Sequence, residues 1–87
     1  MQLEPYQRTK TFTEKTVPRG LLKDHSTKEG TYGRICVISG TLELTRESGG
    51  VERLEAGEVG LVHPKEVHSV KPLGQVEFYV AFCRSVG

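Results

Sequence analysis

Apolar residues in this chain alternate with polar ones, or come in short runs cut by glycine and proline; a helical period is almost absent. In "YGRICVISG", Ile35 and Val37 fall on one face, Cys36 and Ile38 on the other, and Gly40 closes the strand. "TLELT" turns Leu42 and Leu44 inward against Thr41, Glu43 and Thr45. "VEFYVAFC" sets Val76, Phe78, Val80 and Phe82 on one side and Glu77, Tyr79, Ala81 and Cys83 on the other. Shorter strands are expected in "TFTEKTV", an edge strand closed by Pro18, and in "GLLKDHS". Two more are expected in "VGLVH", stopped at Pro64, and in "VHSVK", stopped by Pro72 and Gly74. "RESGGVER" reads as a hairpin, since Ser-Gly-Gly permits positive φ. Seven or eight short strands at roughly 8–12-residue spacing predict an all-β sandwich or barrel. Closing the sheet would remove the exposed edges on which small β proteins aggregate. The first eight and last three residues are expected to be mobile.

A length of 87 residues fits one domain, 1–87, with its core at about 11–83. So short a chain buries a modest share of its surface. A homodimer, adding buried apolar area, is therefore the expected assembly. Twelve basic residues against eleven acidic ones, interleaved, leave no basic patch for nucleic acid. No apolar run approaches the ~20 residues needed to span a bilayer. "MQLEPYQRTK" lacks the apolar centre of a signal peptide, so a soluble cytoplasmic protein is expected. The two cysteines, Cys36 and Cys83, sit in apolar runs and read as reduced, buried thiols. A bridge between them is the alternative.

Two segments have a recognisable grammar. "GTYGRICVISGTLEL" is strand, glycine turn, strand; "LEAGEVGLVHPKEVHSV" is turn, strand, proline, then a histidine four residues on. Together they resemble the two halves of a cupin. Gly57, Glu58, Val62, Pro64 and His68 follow the second cupin motif, with the proline shifted by about one position. A narrower resemblance rests on His25, Thr27, Lys28, Gly30, Thr31 and Tyr32, followed by Pro64 and His68. It is to the small cupin family related to YeaR and the N-terminal domain of the tellurite-resistance protein TehB, and it covers about residues 11–83.

The resemblance implies a double-stranded β-helix, a jelly-roll-like barrel, with a ligand or divalent metal in its mouth. It also implies a link to tellurite or oxidative and nitrosative stress. The chain departs from the pattern in two places. The first cupin motif normally supplies two histidines and a glutamate, and those places hold residues such as Thr27, Glu29 and Gly33. The position before His68, often aromatic in the narrower family, is Val67. The Gly-rich nucleotide loop of a methyltransferase is missing, so tellurite methylation does not carry over.

His25 and His68 are thus the candidate metal ligands. Neutral imidazole suits Zn, Ni or Fe. An open metal site usually has three protein ligands, and His63, Glu29, Glu66 and Glu77 are the weaker candidates for the third. The plainer reading makes His68 a strand residue whose ring bonds a backbone carbonyl, and His63 a solvated loop residue. No nucleophile–base pair stands out: Ser39 and Ser69 lack the Gly-x-Ser-x-Gly elbow. No catalytic residue is assigned. The leading expectation is a small cupin that binds a metal or small ligand. The alternatives are a metal-dependent oxygenase or isomerase, and a metal-free ligand-binding module.

Overall fold

A computed structural model describes residues 2–86. Six strands run in the order β1 (Gln2–Arg8), β2 (Phe12–Thr13), β3 (Tyr32–Arg46), β4 (Val51–Glu55), β5 (Val59–Val62) and β6 (His68–Val86). A single 3-10 turn, Arg19–Leu21, lies between β2 and β3. The described residues are all-β.

Two long antiparallel strands, β3 and β6, form the spine and pair along most of their length. One edge of β6 takes β1 and then β2; the far edge of β3 takes β5 along its first half and β4 along its second. The ladder order β1-β6-β3-β4 has free ends, so hydrogen bonding does not close the sheet into a barrel. The sheet instead bends over itself. Gly60 of β5 then lies against Leu54 and Leu44, so close that a Cβ on it would sit 2.8 Å from Leu54 Cδ1.

The bend has a residue-level cause. In the first half of β3 the buried positions are odd, Ile35 and Val37; in the second they are even, Leu42 and Leu44. Side chains alternate strictly along a strand, so one extra residue must flip the parity. The register shifts between Val37 and Leu42 supply it. Gly40 has φ 78°, and a Cβ there would run into the Gln75 carbonyl of β6. On β6, Leu73–Gln75 bulge opposite Thr41, and Val70, Val76, Phe78 and Val80 all stay on the buried face. These residues, with Phe12, Ile35, Val37, Leu42, Leu44, Leu54 and Val62, make one core cluster.

Several expectations change. Gly40 bends its strand without ending it, and "VHSVK" and "VEFYVAFC" are one strand, because a bulge absorbs Gly74 without stopping the ladder. "TFTEKTV" yields only Phe12–Thr13, after which the Glu14 carboxylate accepts the Val76 N–H at 3.0 Å. "GLLKDHS" is a 3-10 turn followed by one isolated bridge at His25; Leu22, meant for a strand face, is exposed. Gln2–Arg8, expected to be mobile, pairs with β6 up to Val86; Met1 and Gly87 lie outside the described residues. Cys36 and Cys83 are both free thiols, Cys83 buried and Cys36 only half-buried.

Candidate functional site

His68 is the first residue of β6 and shares the parity of Val70 and Phe78, so its side chain enters the interior and is only 4% exposed. His25 comes from the irregular segment after the 3-10 turn. The two backbones meet as an antiparallel bridge: His25 N–H donates to the His68 carbonyl at 2.7 Å, and His68 N–H returns the bond at 2.8 Å. Residues 25 and 68, far apart in sequence, are thereby directly opposite.

The rings follow the backbones. His25 Nδ1 lies 3.4 Å from His68 Nε2, with the rings nearly perpendicular at 78°. His68 Nδ1 is 2.9 Å from the Glu66 carbonyl. A carbonyl only accepts, so Nδ1 is the donor of that bond and Nε2 is the nitrogen that faces His25. Burial, and secondarily the charge that His68 can carry, pushes His25 below the ordinary histidine value. Both effects favour a neutral imidazole beside His68.

The loop that delivers His68 is braced from below. Arg46, at the end of β3, donates to the Leu61 carbonyl at 2.7 Å and lies 3.8 Å from the Glu66 carboxylate. That carboxylate accepts the His63 N–H at 3.1 Å. Burial pushes the Glu66 carboxyl up, but the His63 N–H and the Arg46 charge outweigh it and hold it below its ordinary value. Glu66 therefore fixes the turn whose carbonyl orients His68. Lys65 in that turn has φ 63°, a left-handed conformation uncommon for a side-chain-bearing residue. Its N–H bonds the Thr27 carbonyl at 3.1 Å, tying the loop to the segment that carries His25.

The pair forms one wall of a cavity of about 230 Å³. Phe12, Leu21, Ile35, Val70, Phe78 and Phe82 are among the apolar residues of the remaining wall. Its two threonine hydroxyls are already used. Thr27 donates to the Thr31 carbonyl at 2.7 Å, and Thr9 accepts the Val80 N–H at 3.0 Å while donating to the Lys10 carbonyl at 2.8 Å. The remaining polar atoms of the wall belong to the histidine pair, whose Nδ1–Nε2 contact a guest's polar group would share or replace.

The four weaker ligand candidates do not join the pair. His63 is exposed, with its ring edge-on to Tyr32 and Nδ1 3.6 Å from Glu66. Glu29 is exposed in the turn before Gly30. Glu77 is exposed and accepts the Ser39 hydroxyl at 3.0 Å. Glu66 is engaged as described. Among the described residues, no group of three His, Cys, Asp or Glu side chains is placed to hold a metal ion. The two imidazoles are nonetheless correctly spaced for one. Nitrogens each about 2.0–2.1 Å from a tetrahedral zinc lie roughly 3.3 Å apart, close to the 3.4 Å observed. Sequence reasoning missed Arg46 and the wall residue Leu21. A lone arginine closing a hairpin strand carries no signal of a long-range brace, and Leu21 lies where a strand was expected.

A family model described as the TehB-like domain matches residues 7–80. Among solved structures, a protein from Escherichia coli strain K12 superposes with a TM-score of 0.87 at 20% identity, over 98% of this chain and 93% of that one. TehB from Haemophilus influenzae superposes at 0.85 with 24% identity, over 95% of this chain and 32% of TehB. The chain thus spans about a third of TehB's length. The cupin domain of Schizosaccharomyces pombe Cnp3 gives 0.59 at 18% identity, over 72% of this chain and 47% of that one. No curated protein matches. Among the described residues no helix is long and apolar enough to cross a membrane.

Proposed function

The chain belongs to the TehB-like domain family, and on that premise we propose that it is a small cupin-like binding module whose guest occupies the apolar cavity and is anchored by His25 and His68. The observation that carries this reading is a mostly apolar pocket with a pair of facing imidazoles in its wall. An apolar wall with a few convergent polar groups is the usual form of a small-molecule site. Titration of the ¹⁵N-labelled protein with hexanol tests it. Amides lining the cavity, such as those of His25, Val70 and Phe82, are expected to shift in a saturable way, and the melting temperature to rise with hexanol by mass action. No shift at those amides up to the solubility limit would reject the cavity as a site.

The 3.4 Å spacing of the ring nitrogens favours a second form of the same reading, in which His25 and His68 hold a divalent cation. With two protein ligands, such a cation would keep positions open and supply a Lewis-acidic contact for a guest's donor atom. Elemental analysis of protein purified without a nickel column distinguishes the forms. Metal in the wild type and its loss in the His25→Ala/His68→Ala double variant are expected. A metal-free wild type, or an unchanged double variant, would leave the histidines as direct hydrogen-bonding anchors. The role in the cell that best fits is a stress-associated binding or sensing step in the cytoplasm.

A further inference from the structure

Beside the apolar cavity lies a second space, a groove of about 330 Å³. The two share His25, Thr27 and Phe82 as common walls. His25 thus lines both spaces, one mostly apolar and the other mostly polar.

The groove's own walls are Tyr6, Gln7, Ser26, Lys28 and Thr31, with no acidic residue among its lining. Some of these groups are committed. The Tyr6 hydroxyl pairs with the Thr31 hydroxyl at 3.1 Å, which holds β1 against the Lys28–Thr31 turn. Others are free. Among the described residues no ion pair or hydrogen bond engages the Lys28 ammonium, the Ser26 hydroxyl or the Gln7 side-chain amide. An ammonium, a hydroxyl and an amide N–H₂ are all donors. They converge on one groove that holds a net positive charge.

We propose that this groove is the headgroup subsite of the same ligand, so that the protein takes small aliphatic carboxylates, with the hydrocarbon in the cavity and the carboxylate beside Lys28. The inference rests on the cavity reading above and adds the ligand's chemical class. A carboxylate fits better than a phosphate. One ammonium matches one negative charge, and a phosphate dianion is usually met by an arginine fork, whereas the groove's lining holds no arginine. A purely apolar guest would leave the groove's donors to water, and a purely polar one would leave the cavity unfilled.

The test compares hexanoate with hexanol at neutral pH, where the carboxylate is ionised. Both are titrated into the full chain in the presence of EDTA, so that no cation contributes. Hexanoate is expected to bind about three- to tenfold tighter than hexanol, the scale of one partly solvated charge-assisted contact. That advantage is expected to shrink with added salt, to vanish in Lys28→Met and to persist in Lys28→Arg, while hexanol binding stays constant across the variants. Lys28 is exposed, so the variants should keep the wild-type amide spectrum. Equal affinities in the wild type, or an advantage that survives Lys28→Met, would overturn the headgroup subsite while leaving the cavity in place. Binding of neither compound would remove the cavity reading, and this inference with it.

Discussion

The two histidines face each other across 3.4 Å, yet they stand on unlike supports. His68 opens a strand of 19 residues, is buried, and has its ring fixed by the backbone carbonyl of Glu66, a residue whose side-chain carboxylate lies beside Arg46. His25 sits in a segment whose backbone bonds are sparse: a 3-10 turn, an isolated bridge and the turn from Lys28 to Thr31. One wall of the site is therefore built into the sheet, and the other is laid against it. Binding sites commonly draw their adjustable part from such weakly bonded segments. The difference suggests that a guest is received by movement on the His25 side, with His68 as the fixed reference.

The largest blow to this asymmetry should come from the sheet itself. Gly40→Ala places a Cβ against the Gln75 carbonyl at positive φ, combining backbone strain with overpacking, and should cost about 2–4 kcal/mol in urea denaturation. A cost below about 1 kcal/mol would mean that the bend is tolerant and the wall not fixed. Next come the histidines themselves. His68→Ala removes a buried ring and orphans the Glu66 carbonyl, and should cost roughly 2–3 kcal/mol. His25→Ala, half-exposed and on the loose side, should cost about 1 kcal/mol or less. Equal losses would erase the distinction between the walls.

The mildest effect is a pH dependence. The folded state lowers the pKa of His25, so the unfolded chain binds the proton more readily and stability rises with pH. The contribution is complete above the ordinary value of 6.5 and is lost as pH falls below it. Glu66 has the same sign in a lower window, with its contribution present above its ordinary 4.5 and lost as the carboxylate is protonated. Melting curves across this range should show a first decline that disappears in His25→Gln. A decline that persists unchanged in that variant would assign it to another group.

Much of the frame was readable from parity. Val70, Phe78 and Val80 share a face with His68 because a two-residue bulge keeps the even positions inward. Strand lengths were not readable. Glycine and proline signal breaks, but a long-range ladder can carry a strand through Gly40, Pro72 and Gly74 by bulging, and only the partner strand decides that. β1 was invisible for a related reason: Gln2–Arg8 is mostly polar and exposed, and it is a strand only because β6 offers an edge. The meeting of His25 with His68 came from family resemblance, since no periodicity links residues so far apart. The brace through Arg46 and Glu66 left no mark in the sequence, because charged pairs at such spacing are common and few are structural.

The strand β6 has one more consequence, which concerns time. It is the last of the described strands to be synthesised, and it pairs with β1, β2 and β3. While the ribosome is still translating residues 68–86, β1 and β2 have no edge to join, and β3 keeps only the β4 and β5 ladders. Folding of this kind, dominated by distant contacts, is slow and leaves apolar strands waiting. The nascent chain should therefore stay protease-sensitive until β6 is out, since the core and the His25–His68 bridge both need that strand.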